Sequence, residues 1–404
     1  MFVLRSLFNF ARTVIFTVTF IVAIGMVLAG CTSVRESLEA GSRRREFVID
    51  NTWSRATTKK EFLGFRRMNR MSPIVLEKMV IQANAIDGLL AFDRGSGRQL
   101  WRLDLPNGVE GGAQFANGRI YFGASDGQFY CVSAADGKVL WAFAVRAETL
   151  APPTVDGGVV YFESGADVVF ALDAETGKQL WTYNRQVTGS LSIRATSRPV
   201  IAGEALLVGF SDGFLVSLKK HDGGLNWEKK LGKSVRFRDV DATPVLDGKN
   251  LYVASFDAAL YSIEIETGDI NWSVEDGGYL PVTIGTGRYA DRLFYATANG
   301  KILVVDKASG KKLKIFDIKH GIATQPVIFK GFMIYGESEG AVIFADAENG
   351  APLKRFVSGE GLMAKPTFVE ATNEAFFISN AANLYALKFG FQRASDRLPW
   401  QVPQ

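Results

Sequence analysis

The chain has 404 residues, of which 47% are hydrophobic, and 46 Lys and Arg against 42 Asp and Glu give a net charge of +4. The apolar fraction excludes an intrinsically disordered chain, and the interspersed, near-neutral charge lacks the basic face that a nucleic-acid binder needs. Two cysteines, Cys31 and Cys131, are too few for a disulfide framework.

Arg5 and Arg12 precede an apolar run from Thr13 to Ala29, and the first acidic residue is Glu36, the layout of an export signal. The run is also long enough to span a bilayer, which takes about 17 to 25 apolar residues; a single uncleaved helix is the alternative reading. It closes on Leu28-Ala29-Gly30-Cys31, which matches a bacterial lipobox. In the lipoproteins it resembles, the signal is cut before the cysteine, whose sulfur and freed amine are acylated. Residues 1–30 are therefore expected to be a lipoprotein signal peptide and Cys31 the lipidated N-terminus. Two or more acyl chains anchor stably, at roughly 0.8 kcal/mol per buried methylene. Thr32 stands where, by the same resemblance, an Asp would favour the inner membrane, so the expected address is the outer membrane, facing the periplasm. Cleavage removes two Arg and no acid, leaving 44 basic residues against 42 acidic, a charge of +2. Residues 31–50 read as a polar tether, whose Arg43-Arg44-Arg45 is either solvated linker or a contact for anionic lipid headgroups.

Beyond the tether one motif recurs: a strand, an Asp or Ser, a short polar turn ending in Gly, and a Trp four residues later. Leu172-Asp173-Ala174-Glu175-Thr176-Gly177-Lys178-Gln179-Leu180-Trp181 and Phe92-Asp93-Arg94-Gly95-Ser96-Gly97-Arg98-Gln99-Leu100-Trp101 are its clearest copies. Gly137 with Trp141, Gly223 with Trp227 and Gly268 with Trp272 repeat it, while at Gly310 and Gly350 the Trp is replaced by Lys314 and Lys354. The glycines are 40, 40, 46, 45, 42 and 40 residues apart, the period of a four-stranded propeller blade. Each Gly supplies the positive φ of a hairpin loop between third and fourth strands, and each Trp opens the outer strand, where its ring fills the wedge between blades.

Alternating strands such as Arg119–Phe122, Val159–Phe162 and Asn250–Val253 precede each motif, and Pro153, Pro199, Pro244, Pro281, Pro326 and Pro366 mark the start of innermost strands. After Pro366 come two strands, Glu374–Ser379 and Asn383–Lys388, but no eighth outer strand. Asn51-Thr52-Trp53-Ser54-Arg55 supplies it, with a Trp 48 residues before Trp101. The expectation is an all-β, eight-bladed β-propeller of four-stranded antiparallel blades over residues 51–390, closed by an N-terminal outer strand, with 391–404 a C-terminal tail. Closure leaves no open sheet between first and last blades and predicts a monomer.

The form Ala-Xaa-Asp-Xaa-Xaa-Thr-Gly-Xaa-Xaa-Xaa-Trp at Ala171–Trp181 resembles the quinoprotein-type propellers, a group that includes alcohol dehydrogenases using pyrroloquinoline quinone. Their cofactor site is associated with a vicinal disulfide and a Ca²⁺ ion, and this chain has no adjacent cysteines. Within that group the chain is similar to the BamB family, propeller lipoproteins of outer-membrane protein assembly, along lipobox, tether, closing strand and all blades. Ser190-Leu191-Ser192-Ile193-Arg194 resembles the family's Leu-Ser-Leu-Arg motif, and Arg238-Asp239-Val240-Asp241-Ala242-Thr243-Pro244-Val245 its Asp-Val-Asp-Thr-Thr-Pro-Val motif. Ile193 for Leu and Ala242 for Thr are mild departures.

Spacing reaches the same two places. From the Trp of one blade to the next inner-strand Pro there are 12 residues at Trp141 and 9 at Trp272, but 18 at Trp181 and 17 at Trp227. Two consecutive inter-blade loops are thus lengthened, and loops of adjacent blades lie side by side, where repeat proteins commonly bind. The first offers Leu191, Ile193 and Arg194, the second Asp239 and Asp241 as acceptors. The resemblance implies that these residues dock on the periplasmic domains of the β-barrel subunit BamA, with other assembly-machine subunits contacted indirectly and unfolded outer-membrane proteins as clients. Internal pairing of Arg194 with Asp239 or Asp241, bracing the loops, is the alternative, and the two are compatible.

Catalytic chemistry is thin. His221 and His320 lie in turn segments far apart in sequence and read as solvated, and Asp126-Gly127 and Asp212-Gly213 lack the alternating acids of a calcium loop. Cys131, within Phe129-Tyr130-Cys131-Val132, reads as core. No cofactor, metal or nucleic acid is expected, and the function implied is a non-enzymatic scaffold; the alternative is a quinone- or sugar-binding periplasmic propeller with catalytic or sensing activity.

Overall fold

The apolar faces of the repeated strands are buried blade against blade. In a computed structural model, which describes residues 45–59, 68–185 and 197–393, the chain forms eight separate four-stranded antiparallel sheets. Blade 1 comprises Ile74–Val75, Met79–Asn84, Gly88–Asp93 and Gln99–Asp104, in that order from inside to outside. Blades 2 to 7 repeat it over residues 113–144, 154–184, 200–230, 245–275, 283–317 and 327–357. Blade 8 takes Thr367–Val369, Glu374–Ile378 and Asn383–Arg393 from the C-terminal side and Arg45–Ala56 as its outer strand. The ring is therefore an eight-bladed propeller closed by the N-terminal strand.

Burial follows position in the blade. Second and third strands are sandwiched between neighbouring sheets and carry continuous apolar runs, such as Val159–Phe162 and Ala341–Ala345. Outer strands alternate, as in Gln179–Asn184, where Trp181 and Tyr183 face the next blade and the residues between them face solvent. Cys131 is fully buried among Phe129, Phe162 and Leu172, and burial pushes its thiol up to about 11, so it packs as an apolar residue.

The turn glycines all take positive φ, between 67° at Gly97 and 75° at Gly223 and Gly268. Each turn is clamped by a backbone bond four residues back, as from Gly177 N to Asp173 O at 2.9 Å, and by the Asp173 carboxylate, which accepts from Thr176 N at 2.7 Å. The missing Cβ matters as much as the φ. A Cβ on Gly177 would lie 2.6 Å from Cδ2 of Trp141 in the preceding blade, and Trp101 and Trp181 lie as close over Gly137 and Gly223. Each indole N–H donates to the next blade, Trp141 to Ala174 O at 3.2 Å and Trp181 to Lys220 O at 3.1 Å. Trp53 repeats the arrangement, stacking on Gly97 and donating to Arg94 O at 2.9 Å.

The copy with Lys314 in place of Trp keeps the contact by other means. Phe316 takes the ring's place over Gly350, and the Lys314 ammonium donates to the carbonyl and carboxylate of Glu348. The closing strand also differs in extent from the sequence reading. It starts at Arg45 instead of Asn51, and its partner continues to Arg393, so the boundaries drawn at residues 50 and 390 fall inside strands. Phe47 has its ring centroid 5.4 Å from that of Phe391, a pairing the polar look of the tether concealed.

A paired substitution separates backbone strain from the inter-blade contact. Gly157 also has positive φ, but a Cβ added there would meet nothing within 4 Å, so Gly157→Ala is expected to cost about 1 kcal/mol. Gly177→Ala must in addition displace Trp141, and is expected to cost about 1 to 3 kcal/mol more, read as the difference in urea midpoints.

Candidate docking loops and axial cavity

The connection from blade 4 to blade 5 leaves the outer strand Leu225–Lys230, exposes a short tip and then turns inward. Its tip is shaped locally. Lys233 N and Ser234 N donate to the Asp257 carboxylate at 2.9 and 2.5 Å, and Phe237 takes a left-handed φ of 52°. That turn leaves Val235 82% and Phe237 41% exposed. From Arg238 the chain runs between blades: Val240 N donates to Phe210 O at 3.1 Å, and Phe256 N donates to Asp239 O at 2.8 Å. Gly209 is required there, because a Cβ would sit 1.9 Å from Val240 O.

Asp239 and Asp241 are consequently buried, at 0% and 5% exposure, so they are not the surface acceptors their charge suggested. They belong to an acidic group that spans three blades. Burial raises the Asp241 carboxyl well above the usual carboxylate range, the charges of Asp239 and Asp167 add to this, and Arg70 opposes it. Glu163 is likewise raised by burial, then by Asp167 and Asp241, against a hydrogen bond from Ser197 N at 3.1 Å. Asp167 is raised by burial despite accepting from Ser211 N and Oγ at 3.0 and 2.7 Å.

Leu191, Ile193 and Arg194 lie outside the described residues, as does Cys31. The first described residue after that loop, Ser197, is buried and is the donor to Glu163. The downstream end of the first lengthened connection and the inward limb of the second are thus brought to the same acidic group.

Asp241 also borders a cavity of about 500 Å³ where the starts of the inner strands converge. Arg70, Lys365, Tyr279 and Gln325 are among its other polar groups, and Met68, Leu150, Leu280, Ile322 and Met363 form much of its apolar wall. Sequence reasoning used the inner-strand prolines only as strand markers. The signal for this cavity was the residue just before them, which at Thr243, Leu280, Gln325 and Lys365 lines it. Val235 and Phe237 were missed because no family motif includes them.

The remaining candidates resolve as turn chemistry. His221 and His320 are exposed, the former 3.0 Å from the carboxylate of Asp222. Asp126 accepts from Gln128 N at 3.0 Å and from the Tyr130 hydroxyl at 2.7 Å. Asp212 accepts from Phe214 N at 3.2 Å and pairs with Arg185. Among the described residues no three His, Cys, Asp or Glu side chains are grouped to hold a metal ion.

The family described as outer membrane protein assembly factor BamB matches residues 87–316. The chain belongs to this family. It is 28% identical over 323 residues to the BamB protein of Shewanella oneidensis, covering 75% of this chain and 80% of that one. The crystal structure of BamB from Moraxella catarrhalis superposes with a TM-score of 0.72 at 21% identity, over 85% of this chain and all of that one. Quinohemoprotein alcohol dehydrogenase from Comamonas testosteroni shares the fold, with a TM-score of 0.69 at 12% identity, over 84% of this chain and 76% of the enzyme. BamB membership separates the chain from those enzymes by sequence, where the fold alone does not.

The raised carboxyl of Glu163 gives a pH signature. A carboxyl whose folded pKa exceeds its unfolded value binds more protons when folded, so stability is lost as pH rises from the unfolded value toward the folded one. Glu163→Gln keeps an acceptor for Ser197 N and has no charge to bury. It is expected to be more stable than wild type at pH 8, by at least about 1 kcal/mol, with the advantage gone near pH 4, measured by urea unfolding across that range.

Proposed function

We propose that this chain is a non-enzymatic scaffold of the outer-membrane β-barrel assembly machinery, held by lipid on Cys31 at the periplasmic face of the outer membrane. It docks on the periplasmic domains of BamA through the two lengthened connections, with Leu191, Ile193 and Arg194 on the first and the tip before Asp239 and Asp241 on the second. In this reading it acts as a monomer within the complex, meets other subunits through BamA, and assists the folding and insertion of outer-membrane proteins.

The observation that carries the proposal is the convergence of those connections. Ser197 closes the first and bonds Glu163, which is coupled electrostatically to Asp241 of the second. The inward limb of the second connection is fixed by backbone bonds from Val240 N to Phe210 O and from Phe256 N to Asp239 O, so its tip is preorganised, which limits the loop-ordering cost of binding. The exposed apolar pair Val235 and Phe237 supplies contact area, and the acids beneath it act as support. Family membership favours this reading over a quinone- or sugar-binding one.

Capture of tagged full chain by the cognate BamA periplasmic domains tests it. Arg194→Ala and Val235→Asp are each expected to weaken binding by about tenfold or more, while Leu180→Asp, on the exposed side of an outer strand, leaves it unchanged. A well-folded wild-type chain that does not bind would refute the docking proposal. Separately, Cys31→Ser is expected to abolish incorporation of labelled palmitate, and unchanged incorporation would exclude Cys31 as the lipidated residue.

A further inference from the structure

The axial cavity carries charges that the docking loops do not use. Lys365 lies in its wall, half-buried, directly before the inner-strand proline of blade 8. Among the described residues no carboxylate lies within ion-pair distance of its ammonium, and burial alone draws its pKa down. Arg198 occupies the same position in blade 4. Its guanidinium donates to Thr154 Oγ1 at 3.0 Å and to Gln114 Oε1 at 2.9 Å, both neutral acceptors, and burial is again the sole influence on its pKa. Gln114 and Thr154 belong to the inner strands of blades 2 and 3, so this side chain reaches across the inner ends of three blades beside the wall residues Ala113 and Pro152.

Among the described residues no acid near the cavity is paired with Lys365 or Arg198. Arg70 faces Glu110 at 4.0 Å, so that pair is already neutral. Burial and the neighbouring carboxylates raise the Asp241 carboxyl well above the usual carboxylate range, which weakens it as a counter-charge. A half-buried cation without a counter-charge is costly, and the cost is relieved when an anion arrives. The rest of the wall is apolar and includes Met68 and Met363, whose unbranched side chains adapt to a ligand's shape. The cavity's volume, about 500 Å³, falls within the roughly 300 to 1,000 Å³ of small-ligand sites.

We propose that the axial cavity binds a carboxylate carried on an apolar body, with the carboxylate against Lys365 and the body against the Met, Leu and Ile wall. A fatty acid and the C-terminal end of an apolar peptide share that chemistry. The site shares Asp241 with the second connection, but the BamA experiment is read at Arg194 and Val235 and this one at Lys365, so the two fail separately.

The test is calorimetric titration of the full chain in phospholipid nanodiscs, with empty nanodiscs as blank. The probes are hexanoate and hexanamide, and N-acetyl-dileucine as free acid and as amide. At least one acid is expected to bind, with its amide weaker by about tenfold or more, the factor that loss of a charge-assisted hydrogen bond brings. Lys365→Met is expected to lose the same factor and Lys365→Arg to retain binding. Tighter binding of hexanoate identifies a fatty carboxylate as the source, and tighter binding of the dipeptide identifies a chain end. No binding of either acid, equal binding of acid and amide, or unchanged binding by a folded Lys365→Met chain would overturn the proposal. The acid-against-amide comparison uses the unaltered chain, so it decides the matter even if the Lys365→Met chain does not fold.

Discussion

Each blade has two apolar faces, so a blade alone would expose most of its second and third strands; what seats six of the eight on a neighbour is a Trp ring pressed onto a turn glycine. The contact makes two demands at once. The turn needs a left-handed residue to close the hairpin, and the ring needs the space a Cβ would fill. Glycine alone meets both. The indole N–H then finds a carbonyl in the adjoining turn, and in places a second donor joins it: Tyr121 Oη and Trp141 Nε1 both donate to Ala174 O, at 3.1 and 3.2 Å. A ring that buries apolar area and satisfies its single polar atom loses little on leaving water.

Closure depends on the same contact. Trp53 is the most buried of the ring-bearing outer-strand tryptophans, and it joins a strand from one end of the chain to the blade formed by the other. Thr57 N continues the join by donating to Ala382 O at 2.9 Å. A ring fastened in this way has no terminal sheet face left to aggregate. The cost is a contact between residues more than 300 positions apart, whose closure entropy is met only when the intervening blades are in place.

The repeat was legible because that contact requires two identifiable residues at a fixed separation, and the positive φ at Gly97 through Gly350 is what the spacing implied. Legibility failed where a different residue fills the same role. Phe316 and Lys314 divide between them the ring and the donor of one Trp, so a search for tryptophan sees a degraded motif where the packing is intact. The closing strand was read six residues short because Arg45 and Glu46 look like tether, and only the pairing of Phe47 with Phe391 shows the strand continuing. Charge misled at Asp239 and Asp241. A short acidic segment between strands is ordinarily solvated, and nothing local in the sequence distinguishes a segment that dives between two blades.

That inward turn changes what the acidic motif is for. Carboxyls at 0% and 5% exposure cannot be the first atoms a partner meets, yet they lie on the connection whose tip is the most exposed apolar feature of its surroundings. Acids whose pKa values are raised by burial and then by one another are destabilising by themselves. The inward limb of the second connection is fixed by backbone bonds, from Val240 N to Phe210 O and from Phe256 N to Asp239 O, and Glu163 accepts from Ser197 N just after the first. Stability is then given up locally so that the residues at the loop tips keep a defined arrangement, and the stiffness of the closed ring beneath them makes that cost tolerable.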